Sequence, residues 1–465
     1  MTSAPSPAVT LPHPENRNAV TFDRGAMEPD RPTQREYELS RELGPIYEVR
    51  FAEQFRMIVI TGTELAQEVW DESRFEKHVA EGTLKMLRDI TGDALFMAHT
   101  HEPHWGMAHR ILTPGFTKEA MALYHPAMVD SIETMFAYWD GKPSSTPRVN
   151  LTQDLNSLTF ELIGRAGFST SFGAFEHGEE LHPFLTQLNR AMWWISKSSN
   201  ASSLTERVRA TREHGPQYKE DLAALREFGL ALVAKRAAEP RQGPKDLLDL
   251  MLTNADPETG EKLPEDNIAY QVVSFLLAGQ ETTAGTLGFA FHYLMQQPDI
   301  ADKVRAEVRD VVGEHERISF EQVGKLRYTR AVIDETLRLW PSAPGYFRAA
   351  RVDTELGGRW PVAAGEPIFV LSLGLQRNDD WPDALIFDPD RFLPGAPPKG
   401  PYRPFGTGAR ACIGRQFALH EAVLSLAMAT RRYDFGPDAD YTLAVHEQIT
   451  IRPSGLHATL QRRTT

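Results

Sequence analysis

Pro404-Phe405-Gly406-Thr407-Gly408-Ala409-Arg410-Ala411-Cys412-Ile413-Gly414 contains the only cysteine of this 465-residue chain. The glycines at 406, 408 and 414 let the backbone turn tightly and approach a flat ring system without Cβ clashes. The residues after Gly414 read as a helix, which puts Cys412 at a helix N-terminus, where partial positive charge and free N–H groups stabilise a thiolate. Arg410 is placed to reach a carboxylate, and Phe405 supplies an apolar lid that keeps water off the sulfur. The plainer reading is a buried free cysteine. Phe-x-x-Gly-x-Arg-x-Cys-x-Gly fixes five positions, however, and a chance match in such a chain is roughly a one-in-ten-thousand event. The segment therefore reads as a thiolate ligand to a haem iron.

At these residues the chain resembles the cytochrome P-450 family of haem-thiolate monooxygenases, and the resemblance runs from about residue 40 to the C-terminus. It implies a mainly α fold with small β-sheets. A single haem domain is expected over residues 36–465, behind a flexible lead-in at 1–35. It also implies haem b as cofactor and dioxygen as co-substrate. Cys412 is then the axial iron ligand, and Leu95, Phe405 and Arg410 touch the cofactor.

Composition sets the outer bounds. Hydrophobic residues make up 41% and charged residues 24% of the chain, as in an ordinary globular protein. A net charge of −13 argues against nucleic acid as partner and against a broadly basic membrane face. One cysteine excludes a disulfide within the chain and fits a reducing compartment. The proline-rich N-terminus has no apolar segment, and the most apolar stretch, around 272–278, is cut by Gln280 and Glu281. A soluble, cytoplasmic monomer without a membrane anchor is expected.

Periodicity places helices at 64–71, 103–111, 128–139, 151–166, 218–239, 267–297 and 320–340, and strands at 57–61, 367–371 and 449–451. Strand-like segments at both ends of a helical chain imply one interwoven unit. The 267–297 helix is apolar on nearly every face and so belongs in the core. Ala278-Gly279-Gln280-Glu281-Thr282-Thr283 lies at its middle, where a buried acid is costly without a partner or a function. The Thr282 hydroxyl can bond the carbonyl of residue 278, which bends a helix and makes room for a water. Gly279 is read as clearing space for a ligand. The plain alternative is a bend with a salt-bridged glutamate. By resemblance, Glu281 and Thr282 are the catalytic pair that delivers protons during oxygen activation.

Glu335 and Arg338 share a helix face among apolar neighbours, which predicts a buried pair. By resemblance it locks onto Arg391 in Phe387-Asp388-Pro389-Asp390-Arg391-Phe392, in a structural role. Trp105 and His109, four apart, offer two N–H donors to haem propionates; whether His109 or Arg110 makes that contact stays open. His99, His101 and His104 have a spacing that fits no standard metal site and read as a loop or helix start.

Several segments resemble the haem domain of bacterial self-sufficient fatty-acid hydroxylases: 71–75, 92–96, 256–260, 335–341 and 411–422. That resemblance puts Phe96, Ala278, Ala343, Pro344 and Ile449 around the cavity over the iron, an apolar wall suited to an alkyl chain. Those hydroxylases hold the substrate carboxylate with an arginine and a tyrosine; here Arg56 is a candidate for the first, and Val59 stands where the tyrosine is expected. No reductase follows the haem region, so electrons are expected from a ferredoxin or flavodoxin with its reductase. Arg110, Lys118, Lys399 and Arg415 would form the basic patch that receives it. The expected activity is hydroxylation of a small apolar substrate, a medium- or long-chain fatty acid, with tailoring of a natural-product scaffold as the alternative. A haem-based gas sensor has no use for Glu281 and Thr282. A peroxide-driven peroxygenase carries an arginine on the central helix, and this helix has none.

Overall fold

A computed structural model describes residues 10–463, apart from 20, 54, 80–82, 145–146, 202, 314–316 and 397–399. Its axis is the helix Glu265–Gln296, which buries residues on every side, among them Val272, Leu276, Leu287 and Phe291. Glu265 and Asp266 in its first turn complement the helix dipole. Pro298 then opens the following helix, Pro298–Val312. Around the axis pack the helices Leu151–Leu162, Leu204–Ala238, Arg327–Leu339 and Arg415–Arg432. The last of these follows the Cys412 loop, as the sequence predicts.

Two helices begin earlier than predicted, and for one reason. Lys118–Asp140 and Leu204–Ala238 run through Pro126 and Pro216, residues that read as breakers in isolation. Packing carries both helices across them. The stretch predicted as one helix over 320–340 divides into Phe320–Val323 and Arg327–Leu339, with Gly324 closing the first.

Among the described residues the largest sheet has five strands, in the order Ile46–Ala52, Phe55–Ile60, Pro367–Val370, Tyr346–Ala350 and Phe75–Lys77. Phe55–Ile60 runs antiparallel to its sequence neighbour and parallel to Pro367–Val370. Period-2 alternation in Phe55–Ile60 sends Phe55 and Met57 to one face and Arg56 to the other. The strand predicted at 449–451 lies slightly later: Ile451–Ser454 pairs with Ala444–Glu447, so Ile449 sits in the connection between them.

Of the stretch 1–35 expected as a flexible lead-in, residues 1–9 and 20 lie outside the described residues, and several of the others contact the first sheet. Leu11 is buried, and the Glu48 N–H donates to the Pro12 carbonyl at 2.9 Å. Arg17 bridges Asp23 at 2.6 Å and Glu48 at 2.7 Å. The helix Pro32–Leu43 follows, with proline at its first position.

Glu335 and Arg338 are both 0% exposed, joined at 2.7 and 2.8 Å. The remaining guanidinium N–H groups donate to the carbonyls of Gln376, Ala384 and Ile386. Glu335 also accepts the Asp388 N–H at 2.9 Å and faces Arg391 at 3.5 Å. No helix among the described residues is long and apolar enough to cross a membrane.

Candidate active site

A cavity of about 800 Å³ opens between the central helix, the Cys412 loop and the first sheet. At its floor, the Cys412 N–H donates to the Phe405 carbonyl at 2.9 Å, closing the loop into a tight turn. Gly406 and Gly408 adopt φ of +69° and +68°, conformations that L side chains rarely take. A Cβ on Gly408 would also overlap the Glu72 carboxylate, which accepts the Ala409 N–H at 3.1 Å. Gly414 has an ordinary φ of −80° and caps the helix Arg415–Arg432; its N–H bonds the sulfur of Cys412. Cys412 lies deep in the protein mass, and its accessible surface lines the cavity. Burial raises the thiol's pKa, while the Gly414 N–H and the Arg415 charge pull it down.

One rim of the cavity is crowded with cations. Arg410 donates to the Ala98 carbonyl at 2.8 Å and stacks over Trp105 at 4.8 Å, yet its Nη1 is buried without a partner. Arg348, 4% exposed, donates to the Phe75 carbonyl at 3.2 Å and leaves its Nε unpartnered. Lys77 reaches the Phe96 carbonyl and sits 4.9 Å over the Phe96 ring. Among the described residues none of the three forms an ion pair. Burial pushes Arg410 down to about 10, with the Arg348 charge adding to the shift; Lys77 falls well below its usual range through burial and Arg410. Such a set fits an anion, and the two propionates of a haem would supply it beside Cys412.

His109 rather than Arg110 belongs to this rim. Trp105 and His109 stack at 5.6 Å on the helix Pro103–Leu112, and both line the cavity. Burial, then the charges of Arg410 and Arg110, lower the pKa of His109, which leaves a neutral ring with one N–H to donate. Arg110 turns away to Asp256, at 2.6 and 2.7 Å, and to Glu258 at 2.9 Å. The same engagement removes it from the expected basic patch. Lys118 and Arg415 are exposed, and Lys399 lies outside the described residues.

On the central helix, Thr282 Oγ1 donates to the Ala278 carbonyl at 2.7 Å, the bond anticipated from sequence. The Thr282 carbonyl in turn accepts Ser342 at 2.8 Å and Thr286 at 3.0 Å. Glu281 is buried with its carboxylate held by Thr450 and by Arg452 at 2.8 Å, so the salt-bridged glutamate describes its resting state. Gly279 lines the cavity, as expected of a residue that clears space for a ligand, and it also meets a neighbouring helix. A Cβ there would overlap the Ile163 side chain of the π-helical turn Ile163–Gly167, so the glycine also lets the two helices approach.

Phe96, Ala278, Ala343, Pro344 and Ile449 all line the cavity, as do Leu95, Phe405, Glu281 and Thr282. Arg56 does not. It faces the other side of the sheet, bound to Glu366 at 2.7 Å and Glu48 at 3.3 Å, and Val59 is wholly buried. The expected carboxylate partner is therefore already engaged. His104 is paired to Asp93, and His99 stacks on His101 at 5.3 Å. Sequence reasoning missed Lys77 and Arg348. Each precedes or follows unremarkable residues, and only the sheet pairing Phe75–Lys77 with Tyr346–Ala350, where Lys77 opposes Arg348, brings them together.

The family described as cytochrome P-450 matches residues 7–457. The chain is 36% identical over 442 residues to bifunctional cytochrome P-450/NADPH–P-450 reductase 2 of Bacillus subtilis, covering 94% of this chain and 41% of that protein. It is 37% identical over 431 residues to the bifunctional cytochrome P-450/NADPH–P-450 reductase of Bacillus cereus, covering 92% and 40%. A fungal relative, self-sufficient cytochrome P-450 monooxygenase CYP505U2 of Exserohilum turcicum, is 34% identical over 468 residues, covering 98% and 43%. The chain thus spans about two fifths of the length of the curated relatives it matches. With the Cys412 loop, a rim of unpaired cations and a threonine-bearing central helix around one cavity, this chain belongs to the cytochrome P-450 family of haem-b monooxygenases, whose co-substrate is dioxygen.

Proposed function

We propose that the protein hydroxylates an alkyl chain, a medium- or long-chain fatty acid, near the end remote from its carboxylate. The observation that carries this reading is the apolar wall beside Cys412, formed by Phe96, Ala278, Ala343, Pro344 and Ile449. Bound there, haem supplies the redox chemistry that activates dioxygen and places one oxygen atom in a C–H bond. Cys412 would hold its iron, with Phe405 shielding the sulfur from water. Trp105, His109, Arg410, Arg348 and Lys77 would hold its propionates.

The Thr282 hydroxyl, its own proton committed to the Ala278 carbonyl, presents lone pairs to the cavity and orders the proton donors that reach it. Glu281 supplies protons from behind, through opening of its contacts with Thr450 and Arg452. Phe96 limits which carbon approaches the reacting centre. Electrons come one at a time from a ferredoxin or flavodoxin, received on the face carrying Lys118 and Arg415. The names of two relatives join a cytochrome P-450 to an NADPH–P-450 reductase, which supports a reductase as the origin of those electrons.

A second reading, oxidation of a neutral natural-product scaffold, draws support from the engagement of Arg56 and the burial of Val59, which remove the carboxylate partners expected at the first strands. A panel of fatty acids and polycyclic scaffolds, titrated into the haem-loaded protein and followed by product analysis, separates the two. Fatty acids should shift the iron from low to high spin and return chain-hydroxylated products. A panel in which only the scaffolds do so overturns the fatty-acid reading.

A further inference from the structure

The end of the cavity farthest along the first sheet is built from the N-terminal segment and two helix ends. Met27, Phe51, Phe55 and Met57 give it apolar walls, and Arg24 and Arg207 border it. Arg24 lies 5.7 Å over the Phe51 ring and donates one N–H to the Ala201 carbonyl at 3.2 Å. Arg207 sits in the first turn of the helix Leu204–Ala238 and is exposed. Among the described residues neither arginine forms an ion pair. Burial lowers the pKa of Arg24, and the Arg207 charge lowers it further, so the two cations stand close and repel.

The acids nearby are otherwise engaged. Asp23 and Glu48 hold Arg17, Glu28 holds Arg31 at 2.8 Å, and Glu36 accepts the Tyr47 hydroxyl. Two guanidinium groups without carboxylates at the end of an apolar passage are a receptor for an amphipathic anion. A planar, forked donor suits a carboxylate in two-point contact. The Phe51 face beneath Arg24 holds its guanidinium in place.

We propose that Arg24 and Arg207 anchor the substrate carboxylate at the cavity mouth, with the alkyl chain running past Phe55 and Met57 toward Phe96 and Cys412. This inference rests on the fatty-acid reading above and assigns to the N-terminal segment the part that sequence reasoning gave to Arg56.

The test uses the full-length haem-loaded protein, titrated with dodecanoate and dodecan-1-ol and followed by spin state and calorimetry. Arg24→Gln and Arg207→Gln should each weaken dodecanoate about tenfold, the range of a charge-assisted hydrogen bond. Dodecan-1-ol should stay within about twofold, and the melting temperature of the free protein should hold. The double variant Arg24→Glu/Arg207→Glu should reverse the preference, favouring dodecyltrimethylammonium over dodecanoate. Unchanged dodecanoate affinity in the double variant overturns the anchor while leaving the fatty-acid reading intact. Failure of the wild-type protein to bind dodecanoate, beside a neutral scaffold that binds, overturns the substrate reading and the anchor with it.

Discussion

Two sets of buried arginines distribute their hydrogen bonds in contrasting ways. Arg338 is wholly buried with its N–H groups satisfied by Glu335 and three backbone carbonyls. Arg410 and Arg348 are also largely buried, but each keeps an unpartnered nitrogen, and Lys77 joins them without any carboxylate. The first set is complete within the protein. The second becomes complete only with an anion. The difference separates a cation that holds the fold from cations that hold a ligand, and it is visible in partners rather than in burial.

The largest expected effect lies at the cysteine beside the open set. Cys412→His should abolish the strongly red-shifted Soret band of the reduced carbon-monoxide complex, since the chain has no second cysteine. Retention of that band in the variant would sink the ligand assignment.

Next comes the contrast itself. Arg338→Met leaves Glu335 buried without its main partner and should destabilise the haem-free protein by about 3–5 kcal/mol in urea unfolding. Arg410→Met removes a buried cation that has no carboxylate, so the haem-free protein should keep its stability or gain, while haem dissociates faster. Equal losses from both substitutions in the haem-free protein would erase the distinction.

A smaller effect belongs to Thr282, whose hydroxyl is bound internally yet faces the cavity. Thr282→Ala should slow product formation by roughly ten- to several-hundredfold and divert reducing equivalents to hydrogen peroxide. Product yield per electron measures this, and full coupling in the variant would place the proton route elsewhere.

The smallest effect tests whether a buried acid paired only to a neutral group behaves unlike Glu335. Burial raises the Glu36 pKa to about 7, partly offset by the Tyr47 hydroxyl. A raised carboxylate pKa means the folded state binds more protons than the unfolded one between its ordinary value of 4.5 and about 7. Stability should therefore fall as pH rises through that window, by up to about 3 kcal/mol, and Glu36→Gln should flatten the fall. A wild-type stability that rises across the same window, with no difference from the variant, would refute the shift.

The sequence made the cavity floor legible because its chemistry is local. Phe405 to Gly414 carries ligand, turn and helix start within ten consecutive positions, and Thr282 reaches only as far as Ala278. The rim was half legible: Trp105, His109 and Arg410 came from motifs, but Lys77 and Arg348 meet through strand pairing across more than 250 residues. The mouth was not legible at all. Arg24 sits in a proline-rich stretch that reads as a loose tail, and nothing local signals that Arg17 clamps that stretch to Asp23 and Glu48. Gly279 was half legible for a similar reason: it lines the cavity as read, but the Ile163 side chain it also accommodates comes from a π-helical turn with no pattern of its own. Prolines 126 and 216 misled in the other direction, because a local breaker lost to tertiary packing.

The clamped N-terminal segment has a practical consequence for protein engineering. Residues ahead of the helix Pro32–Leu43 supply part of the entrance wall, so they travel with selectivity and not with solubility. A shortened variant starting near Pro32, or a chimera joined there, would fold its core around Cys412 while admitting a different range of molecules. Comparisons of haem domains cut at different starting points would then mix two variables, catalytic rate and admission, and libraries that randomise only the cavity floor would leave the gatekeeping surface untouched.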